Sequence, residues 1–484
     1  MLRGIEASHP IRASVANLLA LARSPFPIEK NRVMSRTCDL VVLGVGMAGL
    51  ITANRCAREG WSVAVVDPLP YGGTCALRGC DPKKMLRRGA EIVDAARLMA
   101  GKGVREGDFR IDWAELMAHK RAFTDRVPDK IENGLDDKGV ATLHGPARFT
   151  GERSLEVNGE TIEAGHVLIA TGQWPRDLGV PGAELATDST GFLELDELPR
   201  RILFVGGGYV SMEFAHIVAR AGASVTVADR GERPLRTFDP DLVDDLAAHS
   251  RELGIGFEAY ASLVSIERVD GALRATFECD GARFDLEADL VVHGAGRVAA
   301  IDELELDRAN VAHSGRGVSV TEYLRSRTNE RVFAAGDAAD TDGPPLTPVA
   351  VHEGKIAASN MIRGDGRVAD YRGVPSVAFT LPEIVRIGMD EDEARESGRK
   401  IRVADTDTSG WYSNRRVGAS VGRTKVIVDE SSDEVLGVHL LGHHYAEAAN
   451  LFGLAMRSGL TTRDLKRMIS AYPTTGSDVG AMLG

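Results

Sequence analysis

Short apolar runs that end at a glycine recur along the chain. The first, Asp39-Leu40-Val41-Val42-Leu43, leads directly into Gly44-x-Gly46-x-x-Gly49. A continuous apolar run of this length, with no alternation, predicts a strand buried on both faces, as in a parallel sheet. The residues from there to about Glu59 read as a helix, and Ser62 to Val66 reads as a second strand that ends in Asp67. The same order returns later: Arg201 to Val205, then Gly206-x-Gly208-x-x-Ser211, a helix to about Ala221, and a strand from Ser224 to Ala228. Three further apolar runs reach glycines, at Val167 to Gly172, at Leu290 to Arg297 (through Gly294 and Gly296) and at Val332 to Gly336-Asp337. From about Tyr371 the pattern changes. Short β-rich runs (Lys425 to Val428, Val435 to Leu441) alternate there with helices (Glu447 to Ser458, Thr462 to Ile469).

Strand, glycines, helix, strand and acid in that order point to a dinucleotide. Gly44, Gly46 and Gly49 permit a tight turn and close approach of backbone to a pyrophosphate at the helix N-terminus. Asp67 falls 23 positions after Gly44, where an acid binds a ribose hydroxyl. The second copy, with Gly206, Gly208 and Ser211 in the third place, predicts a second nucleotide site. The fold class is therefore α/β, with two Rossmann-like dinucleotide-binding domains followed by an α+β domain. The expected divisions are residues 1–35 as a disordered extension, 36–198 and 311–370 as the first nucleotide domain, 199–310 as the second, and 371–484 as the α+β domain. The extension carries several arginines and a short apolar run; because Met34 lies just before the first strand, translation assigned too far upstream is an alternative.

Between the first two nucleotide patterns lies Gly72-Gly73-Thr74-Cys75-Ala76-Leu77-Arg78-Gly79-Cys80-Asp81-Pro82-Lys83-Lys84. On a regular helix, Cα atoms five residues apart lie about 8.6 Å from each other. A disulfide closes only to about 7 Å, so a bonded Cys75–Cys80 pair requires irregular backbone between them. Gly79 permits the departure, and Pro82 suits the first turn of a helix that follows. Cys80 then sits near a helix N-terminus with Lys83 and Lys84 close by, both of which lower a thiol pKa. Taken alone, the spacing fits a redox pair or two ordinary buried cysteines equally.

Composition narrows the setting. The 484 residues carry a net charge of −12 and five cysteines. The negative charge argues against nucleic acid or an anionic membrane as partner. Five cysteines are too few for a secreted disulfide scaffold of this size, and a reducing cytoplasm with one catalytic pair fits better. No apolar stretch is long enough to span a bilayer.

The motifs GxGxxG, GGTCxxxxCxPxK, ATG, GGGYxxxE, AxGD and LTPVA stand in the order found in pyridine nucleotide–disulfide oxidoreductases. From about residue 36 to its end the chain resembles glutathione reductase, dihydrolipoamide dehydrogenase and mercuric reductase. The resemblance implies FAD in the first nucleotide domain, NAD(P)H in the second, and a homodimer formed through the third. It implies flavin contacts from Gly73, Thr74, Gly172, Asp337 and Thr347, and contributions to the nucleotide sites from Gly296 and from Tyr209, which covers the nicotinamide pocket. It also implies a Cys75–Cys80 disulfide, with Cys80 facing the flavin and Cys75 attacking substrate. Lys84 and Glu213 match an ion pair beside the reactive flavin nitrogen.

Coenzyme and substrate are less closely specified. Arg230 and Arg236 resemble a clamp for the 2′-phosphate of NADPH, and Ser211 leans the same way. Asp229 resembles the acid that reads the 2′-hydroxyl of NADH. NADPH is favoured, with NADH possible. At the family's His-Pro-x-x-x-Glu pattern this chain has Tyr472-Pro473 and Ser477. A phenol of pKa about 10 shuttles protons near neutrality far less readily than an imidazole of about 6.5. Tyr472 resembles mercuric reductase, but the chain ends Ala481-Met482-Leu483-Gly484, without that enzyme's terminal cysteine pair. Asn54 replaces an arginine that contacts glutathione in the family. The expected activity is NAD(P)H-dependent reduction of a small disulfide or other electron acceptor. The alternatives are a metal reductase, a diaphorase or quinone reductase, and a dihydrolipoamide dehydrogenase-type subunit.

Overall fold

A computed structural model of the protein describes residues 35–484 apart from Glu106 and Asp108. Except for Ser35, the expected N-terminal extension lies outside the described residues.

The first sheet has seven strands. Five of them are parallel, in the spatial order Ala141–His144, Val63–Asp67, Ser35–Leu43, Glu160–Ile169 and Val332–Ala334. Leu40 to Leu43 are almost wholly buried, as an unbroken apolar run in a doubly covered sheet requires. Glu160–Ile169 serves two neighbours on its second edge. Its first residues pair antiparallel with Ser154–Val157, and Val167 to Ile169 take the returning strand Val332–Ala334 in parallel. That return delivers Gly336 and Asp337 to the same end of the sheet as the first glycine turn.

The second sheet runs Ile255–Glu258, Ser224–Ala228, Arg201–Val205, Leu290–His293, all parallel. A three-stranded antiparallel sheet (Ser262–Val269, Ala272–Cys279, Ala282–Ala288) is inserted before its last strand. The third is a five-stranded antiparallel sheet centred on Val435–Gly442, every residue of which is buried, with the helix Tyr445–Ser458 packed on it. The last expected helix is shorter than its apolar pattern predicts. It spans Thr462–Lys466 and closes where the Arg467 and Met468 amides bond back to the Asp464 and Leu465 carbonyls, three residues earlier. Ile469 is left fully exposed. Among the described residues, no helix is long and apolar enough to cross a membrane.

Candidate active site

The two glycine turns are built alike. Gly44 has φ +96°, and a Cβ there would lie 2.4 Å from the Ala170 carbonyl oxygen, so only glycine fits. Both following helices, Met47–Arg58 and Tyr209–Arg220, start at a glycine with no side-chain cap and no acid in the first turn. Their first N–H groups are thus open to an anion. Asp67 and Asp229 occupy equivalent places and do the same work. Asp67 accepts hydrogen bonds from the Val45 and Leu69 amides, at 2.8 and 2.9 Å. Asp229 accepts from Gly207 and Gly231, at 2.5 and 2.6 Å. Each acid thus braces its own glycine turn, a task the spacing did not reveal. Ser211 differs from its counterpart Gly49. Its side chain is buried, its hydroxyl has no hydrogen-bond partner, and it occupies the space that a Cβ on Gly294 would fill. The glycine at 294 makes room for the serine at 211.

The cysteine segment is tied to the first glycine turn through backbone. Gly73 has φ +63°, and a Cβ on it would fall 2.7 Å from the Cα of Gly46. Thr74–Arg78 forms one wide, irregular helical turn, and the regular helix Cys80–Leu98 begins after Gly79. The departure from regular helix expected between the cysteines is therefore present. Both cysteines are free thiols, hydrogen-bonded to each other, and the Cys80 sulfur lies 3.5 Å from the Thr347 hydroxyl. The hydrogen bond from Cys75 is the chief influence holding the Cys80 thiol below its ordinary range, against burial and with help from Thr347, Lys83 and Lys84. The same bond, with burial, pushes Cys75 up.

Behind Cys80, Lys84 donates to Glu213 Oε2 at 2.6 Å, and Lys83 reaches the same oxygen at 3.2 Å. Lys84 also lies over the Phe379 ring, 3.9 Å from its centroid. Burial raises the Glu213 carboxyl, but the two ammonium groups and the Phe379 amide outweigh it and bring it down to about 2. Because this value lies below that of an unfolded glutamate, about 4.3, the stabilisation is complete above pH 5 and fades as pH falls towards 2. Replacing Glu213 with Gln strands two ammonium groups and should cost about 3 kcal/mol at pH 7. Chemical unfolding of both proteins should show the gap narrowing from pH 5 to pH 3; a gap that does not change with pH contradicts the assignment. Sequence reasoning paired Lys84 with Glu213 and set Lys83 beside Cys80, but it missed the Lys83–Glu213 contact and Phe379. Three-residue spacing from Cys80 was a usable signal for Lys83, whereas Phe379 arrives from a distant strand end and left none.

Asp337 lies in the short turn Gly336–Ala338 and faces the half-buried Arg297, whose charge opposes the upward push of burial on the Asp337 carboxyl. Arg297 donates to the Gln173 carbonyl. Gly172 and Gly296 bracket the two-stranded ribbon formed by Gln173–Pro175 and Arg297–Ala299. A cleft of about 270 Å³ opens here, lined by Arg176, Arg297, Asp337 and Glu353 among others. Tyr209 opens the second nucleotide helix, packs edge-on against Phe238 at 5.4 Å and hydrogen-bonds Ser376 and Thr237. Arg230 and Arg236 are exposed beyond Asp229. Neither makes an ion pair with a described residue.

Tyr472 and Ser477 are not brought to the cysteines within one chain. Tyr472 is 78 % exposed and stacks on Tyr412 at 6.4 Å. Thr474 caps the turn Thr475–Asp478 by accepting from the Ser477 amide, and the Ser477 hydroxyl donates back to the Thr474 carbonyl. Leu454, Met468 and Ile469 are exposed in the same C-terminal domain.

The family model for pyridine nucleotide-disulphide oxidoreductases matches residues 38–354, and the model for that family's dimerisation domain matches residues 374–482. The chain belongs to this family of FAD-dependent enzymes, which use a pyridine nucleotide, and its third domain is the family's dimerisation domain. Mercuric reductase of Bacillus cereus is 30% identical over 440 residues, covering 90% of this chain and 69% of that protein. Glutathione reductase of Burkholderia cepacia is 30% identical over 446 residues, covering 91% and 97%. Dihydrolipoyl dehydrogenase of Halobacterium salinarum is 31% identical over 453 residues, covering 91% and 94%. The copper(II) complex of the HOCl-induced flavoprotein disulfide reductase RclA from Escherichia coli superimposes with a TM-score of 0.83 at 27% identity, covering 93% of this chain and 99% of that one. The protein is a flavoprotein disulfide reductase by family.

Proposed function

We propose that this enzyme uses NADPH to reduce a small, activated disulfide or related electrophile through Cys75 and Cys80. The observation that carries the reading is the hydrogen-bonded thiol pair with Thr347 on one side and Lys84–Glu213 behind it. FAD would be held by the open N-terminus after Gly44 and Gly46, by Gly73 and Thr74, by Asp67 with whatever acceptor capacity the Val45 and Leu69 amides leave, and by Gly172, Asp337 and Thr347. A Cβ on Gly73 would strike the Gly46 backbone, so the cysteine segment packs directly on the first glycine turn, while the space beside Gly172 is open. When bound, FAD supplies a route for an electron pair from reduced nicotinamide to the Cys75–Cys80 disulfide. The second nucleotide site draws on Gly206, Gly208, Ser211 and Gly296, with Tyr209 as its cover.

The thiol chemistry balances on the protein's own residues. Two electrons and one proton convert the disulfide into a Cys80 thiolate and a Cys75 thiol. Cys75, once deprotonated, attacks one sulfur of the substrate, forms a mixed disulfide and expels a thiolate that takes up a proton. Cys80 then attacks Cys75, restores the internal disulfide and releases the second product thiol. Lys84 holds positive charge beside the site where negative charge gathers, and Glu213 keeps that ammonium in place.

Protonation of the expelled thiolate is where this chain departs from its relatives. Tyr472 and Ser477 replace an imidazole and a carboxylate, and general acid catalysis contributes about 10²–10⁴-fold. Glutathione disulfide should therefore turn over slowly, while quinones and aromatic disulfides with good leaving groups react readily. Tyr472→His combined with Ser477→Glu should raise turnover of glutathione disulfide more than that of quinone. Steady-state assays of both acceptors on both proteins test this reading. A wild type equally fast on both, and unimproved by the exchange, contradicts it. A second reading, reduction of a metal ion at the same thiols, draws on the likeness to mercuric reductase and to the copper(II) complex; mercury(II) and copper(II) belong in the same panel.

A further inference from the structure

The strand Leu290–His293 runs beside Arg201–Val205 in the second sheet and ends level with it, His293 opposite Val205. The residues that follow, Gly294 to Gly296, press against the second glycine turn. A Cβ on Gly206 would stand 2.6 Å from the Ala295 Cα and 2.7 Å from the Gly294 carbonyl oxygen. Ala295 and Gly296 are exposed, so this loop forms an open wall at the strand ends, where dinucleotides bind in such sheets. The ribbon of Gln173–Pro175 and Arg297–Ala299, whose second strand begins immediately after the loop, carries the chain between the two nucleotide domains.

His293 holds the wall to the ribbon. Its Nδ1 accepts from the Ala295 amide at 3.1 Å, and its Nε2 lies 2.6 Å from the Arg176 carbonyl oxygen. The Arg176 amide in turn donates to the Gly296 carbonyl at 3.0 Å. These partners fix the state of the ring. An amide N–H only donates, so Nδ1 carries no proton; a carbonyl only accepts, so Nε2 carries one. The imidazole is therefore neutral. A second proton, on Nδ1, would point at the Ala295 N–H and break that contact.

The charged groups around the ring are Asp188 at the start of the short helix Ser189–Phe192, Asp177 beyond the first ribbon strand, and Arg297 on the second. Both acids are themselves engaged by backbone amides, Asp188 by Thr190 and Gly191, Asp177 by Gly179. Burial, helped by Arg297, holds the ring below the ordinary histidine range, against the pull of the Arg176 carbonyl and the two acids.

We propose that His293 is a positioning residue for the pyridine nucleotide: its neutral ring clasps the Gly294–Gly296 wall to the ribbon between the domains, and protonation undoes the clasp. The inference rests on reading the second glycine turn as the pyridine-nucleotide site. His293 touches no reacting atom in this role. With the clasp open the wall is formed only part of the time, and apparent affinity falls by that fraction. Because the ring is held below its ordinary value of about 6.5, the clasp is complete at pH 7.5 and opens as pH falls below that value.

Equilibrium binding of NADP+ to the holoenzyme, measured by calorimetry from pH 7.5 to pH 5, tests this. His293→Val removes both contacts and should weaken binding about fivefold at pH 7.5. The ratio of its Kd to that of the wild type should shrink as pH falls, since the wild type then loses the same clasp. Protonation of the 2′-phosphate affects both proteins alike and cancels in the ratio. His293→Gln offers the Arg176 carbonyl an amide donor that does not titrate, so it should bind more tightly than the wild type at pH 5. A ratio that stays constant with pH, or a Gln variant no tighter than the wild type in acid, overturns the clasp even if both variants lose thermal stability. A wild type that binds neither NADP+ nor NAD+ overturns the reading of the second glycine turn instead, so the two failures are distinguishable.

Discussion

Cys75→Ser and Cys80→Ser should each lower turnover of a small disulfide by on the order of 10³-fold or more, because each removes a sulfur that must form and break a bond in every cycle. The two variants should differ in other respects. Without Cys80 there is no internal thiolate to resolve a mixed disulfide, so Cys75 should remain trapped with half of the substrate after one turnover, detectable by mass spectrometry of the intact chain. Without Cys75 no mixed disulfide should form. Quinone reduction should fall far less in both variants, since it needs neither sulfur. If disulfide turnover survives either substitution within tenfold, the reaction does not pass through this pair. The wide turn at Thr74–Arg78 and the close approach of Gly73 to Gly46 would then serve nucleotide binding alone.

The second large effect concerns the coenzyme. Arg230→Ala with Arg236→Ala should lower kcat/KM for NADPH by about 10²-fold and leave that for NADH almost unchanged. A charge-assisted hydrogen bond is worth about 1.5–3 kcal/mol, and exposure of both arginines argues for the low end of the combined effect. Asp229 does not weigh against this expectation as strongly as its sequence position implies. Both its oxygens accept backbone amides, one from Gly207 in the glycine turn and one from Gly231 just after the acid. The equivalent Asp67 is engaged in the same manner in the other domain, so this arrangement belongs to the turn and not to the choice of coenzyme. Equal losses with NADPH and NADH would show that the arginines do not read the 2′-phosphate.

What the sequence made legible was whatever depends on local order. Buried strands announced themselves as unbroken apolar runs, and the turns after them as glycines whose Cβ would collide with backbone. The strands Arg201–Val205 and Ser224–Ala228 fall where the pattern placed them. Cys80, Lys84 and Glu213 were legible because their motifs fix their neighbours. Contacts between distant segments were not. Phe379 over Lys84, Arg297 facing Asp337 and Gly294 making room for Ser211 each join residues far apart in the chain, and no periodicity encodes such a meeting. Helix ends were also hard to read, as at Lys466, where apolar Met468 and Ile469 continue a helical pattern after the backbone has turned away. Tyr472 lies on a surface whose exposed apolar residues fit a dimer contact, so its distance from the cysteines within one chain leaves its role to be decided between subunits.

The central claim is that electrons pass through a disulfide between Cys75 and Cys80, and anaerobic titration of the holoenzyme with NADPH tests it most directly. The account predicts that each flavin consumes two equivalents. The first should go to the sulfur pair, leaving the flavin oxidised and raising the long-wavelength band of the Cys80 thiolate. Cys80→Ser should take up only one equivalent and show no band. Complete flavin bleaching by a single equivalent of NADPH in the wild type, with no long-wavelength band, would contradict the account.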